Sequence, residues 1–320
     1  MNRACVDCRM VAHTHLYHYS LLLYVCMCVC IICSRLIKAL AYRTPEQRFQ
    51  IPIRYKEIHG KELKDVMRSE CGSRDFGTAL QFLALPSHES ECEMIVKACK
   101  GFGTNELLLY PIICGRSNKE IQILKTTFFD MHGKDLGQYL DSELGGSFEQ
   151  LVFNCIQGSE EGYDPEYHTD ELVEEDVATL YEMGTGKFGT DEAGLFKLLC
   201  ARPSEHLKKV NLEYADKHDV TLFKVMELEM GGDTRDAALF MLGMKLKPYE
   251  TICKLIQTAC KGMGTNELLL SCTIIRYQIC LKEVMLAYTE MYGDMLQALI
   301  KSEAGGDYER LLVEICDACL

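Results

Sequence analysis

Two ten-residue segments of this 320-residue chain, KGFGTNELLL at 100–109 and KGMGTNELLL at 261–270, agree at nine positions although they stand 161 residues apart. A third copy, GKFGTDE, occupies 186–192. Downstream of each, an acid stands two residues ahead of a Gly-Gly pair: Glu143, Glu229 and Glu303. Between the loop threonines (Thr104, Thr190, Thr265) and these acids lie 38, 38 and 37 residues. Such constancy predicts a fixed partnership in space. Glycines in a turn present backbone carbonyls without steric cost, and a carboxylate arriving from a neighbouring turn can close the cage. A ligand set made of oxygen alone selects a hard cation, and calcium, with six to eight oxygens at flexible geometry, suits it better than magnesium. Open coordination positions would accept water or a phosphate oxygen of another molecule. The competing reading, in which each glycine bend merely joins two helices and each acid merely caps one, loses ground because the pair recurs three times.

The elements that must carry these groups read as helices. Thr104 is placed to N-cap, with Asn105 and Glu106 in the first turn behind it. Gly145-Gly146 is expected to end one helix in the left-handed conformation, and Ser147 with Gln150 to form a capping box for the next. Phe148, Leu151, Val152, Cys155 and Ile156 then follow the spacing of one buried helical face. Tyr308, Leu311, Leu312 and Ile315 repeat it, and Ile252, Leu255, Ile256 and Cys260 do the same ahead of a glycine bend. No persuasive period-two alternation occurs, so the predicted class is all-α. Pro111 falls inside a predicted helix and is expected to kink it. The fourth copy is one residue short, which would rotate the downstream chain by about 100° unless a bulge absorbs it. The segment 158–171, rich in Gly, Glu, Asp and Tyr, reads as a surface connector between two halves. A weaker copy of the acid signal, Ser69-Glu70-Cys71-Gly72, counts back to a loop at about residues 28–31, where no glycine stands.

Hydrophobic residues make up 48% and charged residues 25% of the chain, which excludes wholesale disorder and fibrous architectures. Lys and Arg total 34 against 47 for Asp and Glu, a net charge of −13 that disfavours nucleic acid. No third glycine or preceding strand makes GFGTNE a dinucleotide loop, and no phosphate loop, HExxH, EF-hand or recurring nucleophile and base set appears, so no catalysis is expected. Twelve of the 18 cysteines are scattered through apolar stretches and read as buried free thiols. Six others, Cys5, Cys8, Cys26, Cys28, Cys30 and Cys33, crowd the N-terminus. The apolar run 21–33 is too short to span a bilayer and resembles a signal-peptide core, but Arg35 and Lys38 interrupt the approach to Ala39-Leu40-Ala41. Cys5-x-x-Cys8 and Cys30-x-x-Cys33 resemble a zinc framework, although the second pair sits in apolar sequence where a metal knuckle needs polar turn residues. The remaining reading takes 1–33 as an atypical segment outside the fold.

The repeated KGxGT, the distant acid and the Gly-Gly pair resemble the annexin family. Cys114-Gly115-Arg116-Ser117, Tyr42-Arg43-Thr44-Pro45 and Asp307-Tyr308 resemble further family features. The likeness covers about residues 34–320 and implies four five-helix repeats in a curved disc: an incomplete first repeat at 34–87, a second at 88–157, the connector, a third at 172–247 and a fourth at 248–320. It further implies calcium held by Cys99, Gly101, Gly103 and Glu143 in the second repeat, by Gly184, Lys187, Gly189 and Glu229 in the third, and by Cys260, Gly262, Gly264 and Glu303 in the fourth. Phe102, Phe188 and Met263 at the loop tips would meet lipid or pack on neighbouring loops. The implied activity is calcium-dependent peripheral binding to anionic phospholipid by a cytoplasmic protein. A calcium-independent helical scaffold for cytoskeletal or other proteins is the alternative. Glu70 is left without a loop to partner, and since a family member would place its first helix where residues 1–33 stand, a displaced gene boundary would explain both facts.

Overall fold

The computed structural model describes residues 29–101, 103–184, 190–262 and 264–320, and every regular element among them is helical. The first repeat comprises α1 (Val29–Leu40), α2 (Pro45–His59), α3 (Leu63–Cys71) and α4 (Asp75–Leu83). The second holds α5 (Ser87–Ala98), α6 (Glu106–Ile113), α7 (Asn118–His132), α8 (Leu136–Asp141) and α9 (Gly146–Gln157). The third holds α10 (Asp170–Met183), α11 (Glu192–Ala201), α12 (Ser204–His218), α13 (Leu222–Glu229) and α14 (Gly232–Leu246). The fourth runs α15 (Pro248–Ala259), α16 (Glu267–Arg276), a 3-10 turn (Gln278–Cys280), α17 (Leu281–Tyr292), α18 (Leu296–Glu303) and α19 (Gly306–Asp317). In the first repeat α1 takes the place of α6, α11 and α16. The expected loop at 28–31 and the boundary at 33 are therefore corrected: residues 29–33 already lie in helix.

Local chemistry explains the helix ends. Thr44 with Gln47, and Ser117 with Glu120, form capping boxes that start α2 and α7. The box expected at Ser147 and Gln150 is absent: Gly145 occupies the N-cap without a side-chain bond, and left-handed Gly146 opens α9 rather than closing α8. Gly232 and Gly306 behave alike, so the Gly-Gly pairs turn the chain into the following helix. Pro111 does lie inside α6, which ends two residues later, and its carbonyl accepts bonds from Arg276 Nε and the Tyr277 hydroxyl, both at 3.0 Å. The one-residue deficit of the fourth repeat falls between α16 and α17. Asn105 to Gly133 and Asp191 to Asp219 both span 28 positions, whereas Asn266 to Gly293 spans 27, and the 3-10 turn stands where the second repeat has a capped coil. From that C-cap to the acid the count is again 10 in all three, so α18 keeps its register.

Helices that are apolar all round must be buried all round. In α6 the run Leu108–Ile113 is wholly buried, as is Leu269–Ile275 in α16. These two pack on each other, α4 packs on α16, α9 on α11 and α6, α14 on α6 and α15, and α1 on α19, so the four repeats share one core and close a ring. The two hydroxyls buried in α16 are both paired: Ser271 meets the Tyr308 hydroxyl at 2.8 Å and Thr273 donates to Leu269 O at 2.7 Å. Across the centre, Glu91 on α5 pairs with Arg116 at 2.8 Å and with Arg276. Burial pushes the Glu91 carboxyl up, but the two guanidiniums outweigh it and hold it below the usual carboxylate range.

The connector is fastened rather than loose. Asn118 exchanges two bonds with the Glu160 backbone (2.8 and 3.0 Å), Glu161 N donates to Ala201 O at 2.7 Å, and Arg202 reaches Glu161 at 2.9 Å. Arg202 also grips Asp176 through two bonds of 2.7 and 3.0 Å, while His206 Nε2 lies 2.8 Å from the same carboxylate. Burial lowers the His206 pKa below its ordinary value against the pull of Asp176. The unfolded chain therefore takes up this proton first, and the stability His206 contributes is present above about pH 6.5 and lost as pH falls. We expect the urea midpoint to decline between about pH 7 and 5, and His206→Gln, which keeps a donor for Asp176, to flatten that decline. An unchanged slope contradicts the assignment. Asp176→Ala, which leaves the Arg202 guanidinium only Glu161 as a carboxylate partner and takes the carboxylate from buried His206, should cost about 3 kcal/mol of urea-unfolding stability, and a loss under about 1 kcal/mol would show the network to be dispensable.

Candidate functional site: the glycine bends and their distant acids

Each bend opens at a helix C-terminus. Cys99 caps α5, Cys260 caps α15 and Gly184 caps α10, positions where the last-turn carbonyls carry the negative end of the helix dipole. The chain then passes through Gly101 (φ 138°) and Gly103 (φ 90°), and in the fourth repeat through Gly262 (φ 111°) and Gly264 (φ 105°). A Cβ at these four positions would meet no atom, so glycine is required by the backbone conformation and not by space. A backbone bond closes each bend: Asn105 N to Ala98 O at 2.8 Å, Asn266 N to Ala259 O at 2.7 Å, and Asp191 N to Met183 O at 2.8 Å. The third bend is one residue longer between its clasp residues, yet it is clasped in the same way.

Sequence reasoning assigns the N-cap to the threonine, and the structure moves it one residue on. Asn105, Asp191 and Asn266 accept from Leu108 N, Gly194 N and Leu269 N at 3.0–3.1 Å. The threonine hydroxyl is thereby released, and in all three copies it turns to the distant acid. Thr104 Oγ1 donates to Glu143 O at 3.0 Å. Thr190 Oγ1 bonds Glu229 Oε2, and Thr265 Oγ1 reaches both Glu303 O (3.1 Å) and Glu303 Oε2 (2.8 Å). Gly184 also packs on α13, since a Cβ there would sit 3.2 Å from Val225 and 3.9 Å from Glu229 Cγ. The two buried or half-buried thiols at the bends register the same proximity. Burial, then the charge of Glu143, pushes Cys99 up to about 12, and burial, then Glu303, pushes Cys260 up to about 11.

The structure thus gathers Cys99, Gly101, Gly103 and Glu143 at one bend, Gly184 and Glu229 at another, and Cys260, Gly262, Gly264 and Glu303 at the third. Lys187, Phe188, Gly189, Phe102 and Met263 lie outside the described residues. Glu70, at the end of α3, faces no bend among the described residues. It lines a depression with Cys33, Arg74, Phe76, Asp307 and Tyr308 between the first and fourth repeats. Among the described residues no three His, Cys, Asp or Glu side chains converge as a metal cage, so an ion at a bend must draw most of its ligands from backbone oxygen. That donor set fits a hard cation. Sequence reasoning missed two contributors at the second bend, Asp233 from the third repeat and Leu268 from the fourth, which no local pattern reveals. Thr265→Val removes both bonds to Glu303 and should cost about 1 kcal/mol while speeding amide exchange at Asn266 and Glu267. Exchange rates at wild-type level there would show that the tether is not structural.

An annexin family model matches residues 90–154, 175–241 and 252–315. Annexin A13 of Mus musculus is 31% identical over 284 residues, covering 88% of each chain, and annexin A4 of Homo sapiens is 28% identical over 282 residues, covering 88% of each. Among solved structures, annexin III superposes with a TM-score of 0.82 at 27% identity, covering 89% of this chain and 88% of its own. Chicken annexin V superposes at 0.80 and 25% identity, covering 88% and 89%. The four-repeat curved disc is the architecture these proteins share with this one. With a family model matched over three segments and a relative 31% identical across 88% of each chain, the chain belongs to the annexin family.

Proposed function

We propose that the protein binds anionic phospholipid surfaces peripherally, from the cytoplasmic side, through calcium ions held at the three glycine bends. The supporting observation is the hydroxyl tether, repeated three times, that fixes an acid beside backbone carbonyls at a helix C-terminus. In this reading Cys99, Gly101 and Gly103 supply carbonyls and Glu143 its carboxylate. Gly184, Lys187 and Gly189 act with Glu229, and Cys260, Gly262 and Gly264 with Glu303. Calcium supplies positive charge and open coordination positions for lipid phosphate oxygens. Phe102, Phe188 and Met263, at the tips, are the side chains that enter the lipid interface.

Charge makes the attraction local. Residues 1–33 carry a net +1, leaving −14 on the rest, and three calcium ions would bring that only to −8. The surface as a whole still repels an anionic leaflet, so binding rests on ions that coordinate lipid directly. No helix among the described residues is long and apolar enough to cross a membrane.

The experiment is cosedimentation with phosphatidylserine vesicles. Binding should require calcium and reverse with chelator. Glu143→Gln, Glu229→Gln and Glu303→Gln together should abolish it, while Glu70→Gln leaves it unchanged. Retention of calcium-dependent binding by the triple variant removes the assigned acids. Binding of the wild type undiminished by chelator favours a calcium-independent scaffold instead.

A further inference from the structure

Away from the bends, three thiols from three helices converge where the second repeat meets the third. Cys114 caps the C-terminus of α6, Cys155 lies on α9 and Cys200 on α11. Cys155 Sγ stands 3.6 Å from Cys114 Sγ and 3.8 Å from Cys200 Sγ. All three are free, and each pair must close by less than about 2 Å to reach bonding distance. Beside them is a cavity of about 20 Å³, lined by Cys155, Cys200 and the polar groups of Asn118, Asn154, Ser159 and Glu160. Such a space admits one water-sized molecule. Lys245 also lines it, donating to Cys200 O at 3.1 Å and Arg202 O at 2.7 Å and pairing with Glu160 at 2.7 Å.

We propose that this trio is an oxidation site for hydrogen peroxide, in which Cys155 closes a disulfide with Cys114 inside the second repeat or with Cys200 across the seam to the third. The chemistry balances in two steps. Cys155 as thiolate attacks one peroxide oxygen; the S–O bond forms, the O–O bond breaks, and the departing hydroxide takes a proton to leave as water. The thiol of Cys114 or Cys200 then attacks the sulfenic sulfur; the S–S bond forms, the S–O bond breaks, and a second water leaves. Two thiols lose two electrons and two protons, and one peroxide is reduced to two waters.

The geometry sets the selectivity. A cavity this small excludes a bulky disulfide such as oxidised glutathione and leaves only the smallest oxidants within reach of the sulfurs. The adjacent thiol and burial push Cys200 well above its ordinary pKa. Cys155 is pushed up chiefly by its bond to Cys114, against the opposing effect of its bond with Cys200, with burial adding to the rise, and the Lys245 ammonium opposes the rise at both. Thiolate is therefore scarce and oxidation slow, which places the site among those that respond to sustained peroxide rather than to trace levels.

The test uses the full chain, treated with excess hydrogen peroxide, alkylated and mapped by mass spectrometry without reductant. Linked peptides Cys114–Cys155 and Cys155–Cys200 are expected, each lost on reduction. Cys155→Ser should lose both, Cys114→Ser should keep only the link to Cys200, and Cys200→Ser only the link to Cys114. The flanking variants each retain a predicted link, so they report even if Cys155→Ser folds poorly. The proposal fails if all three thiols are recovered alkylated, if they end as sulfinic acids without a link, if Cys155 pairs elsewhere, or if the same links form at equal yield in urea.

Discussion

The arrangement depends on one bond made three times, from the hydroxyl of a loop threonine to a glutamate nearly forty residues downstream. It is possible because the next residue, Asn or Asp, takes over the helix N-cap. Had threonine capped the helix, its oxygen would face the first-turn amides and the acid would have no anchor. The glycines then supply the positive φ values through which the bend folds back. The copies are not identical. In the third and fourth repeats the hydroxyl reaches the carboxylate itself, and in the second only the backbone carbonyl, so exposed Glu143 is the least restrained of the three acids.

The fold is largely legible in the linear chain because its signals are local and repeated. Helical periodicity, the pairing of bend with acid and the constancy of their separation all survive there. The features that escape a linear reading are non-local. The missing residue of the fourth repeat gives no sign of whether α16, α17 or their junction absorbs it. The junction does so at least disturbance, since a 3-10 turn lies outside both helices' hydrogen-bond ladders. Ser147 and Gln150 match a capping pattern, but Gly145 and Gly146 already turn the chain into α9 and leave the box nothing to satisfy. The start of the first repeat is hidden because no glycine bend marks it, whereas residues 29–40 form the second helix of the unit.

The same distinction separates structural polarity from functional polarity. Asp176, Arg202, His206 and Glu161, with the pair Lys245–Glu160 beside them, form a network that fastens the connector, and Glu91 with its two arginines joins the second repeat to the fourth. Each of these charges faces an opposite one at close range, as burial demands. Among the acids at the bends, Glu229 and Glu303 accept from threonine hydroxyls instead, and Glu143 is exposed. A threonine hydroxyl offers such a carboxylate one neutral donor and no countercharge. That stabilises a fold less than an opposite charge would, and it suits the cation-binding role proposed for the bends.

Under the proposed function, a bias toward backbone oxygen would also explain how so acidic a chain approaches an anionic surface. A cage of side-chain carboxylates would use several negative charges per ion, leaving each site close to neutral. Carbonyl dipoles at a helix C-terminus would supply most of the coordination with partial charge alone. One glutamate per bend would then leave a divalent ion with net positive charge where it meets the solvent. In the proposed calcium-bound state the excess of 13 negative charges on the whole chain would be separated in space from a few local points of opposite sign.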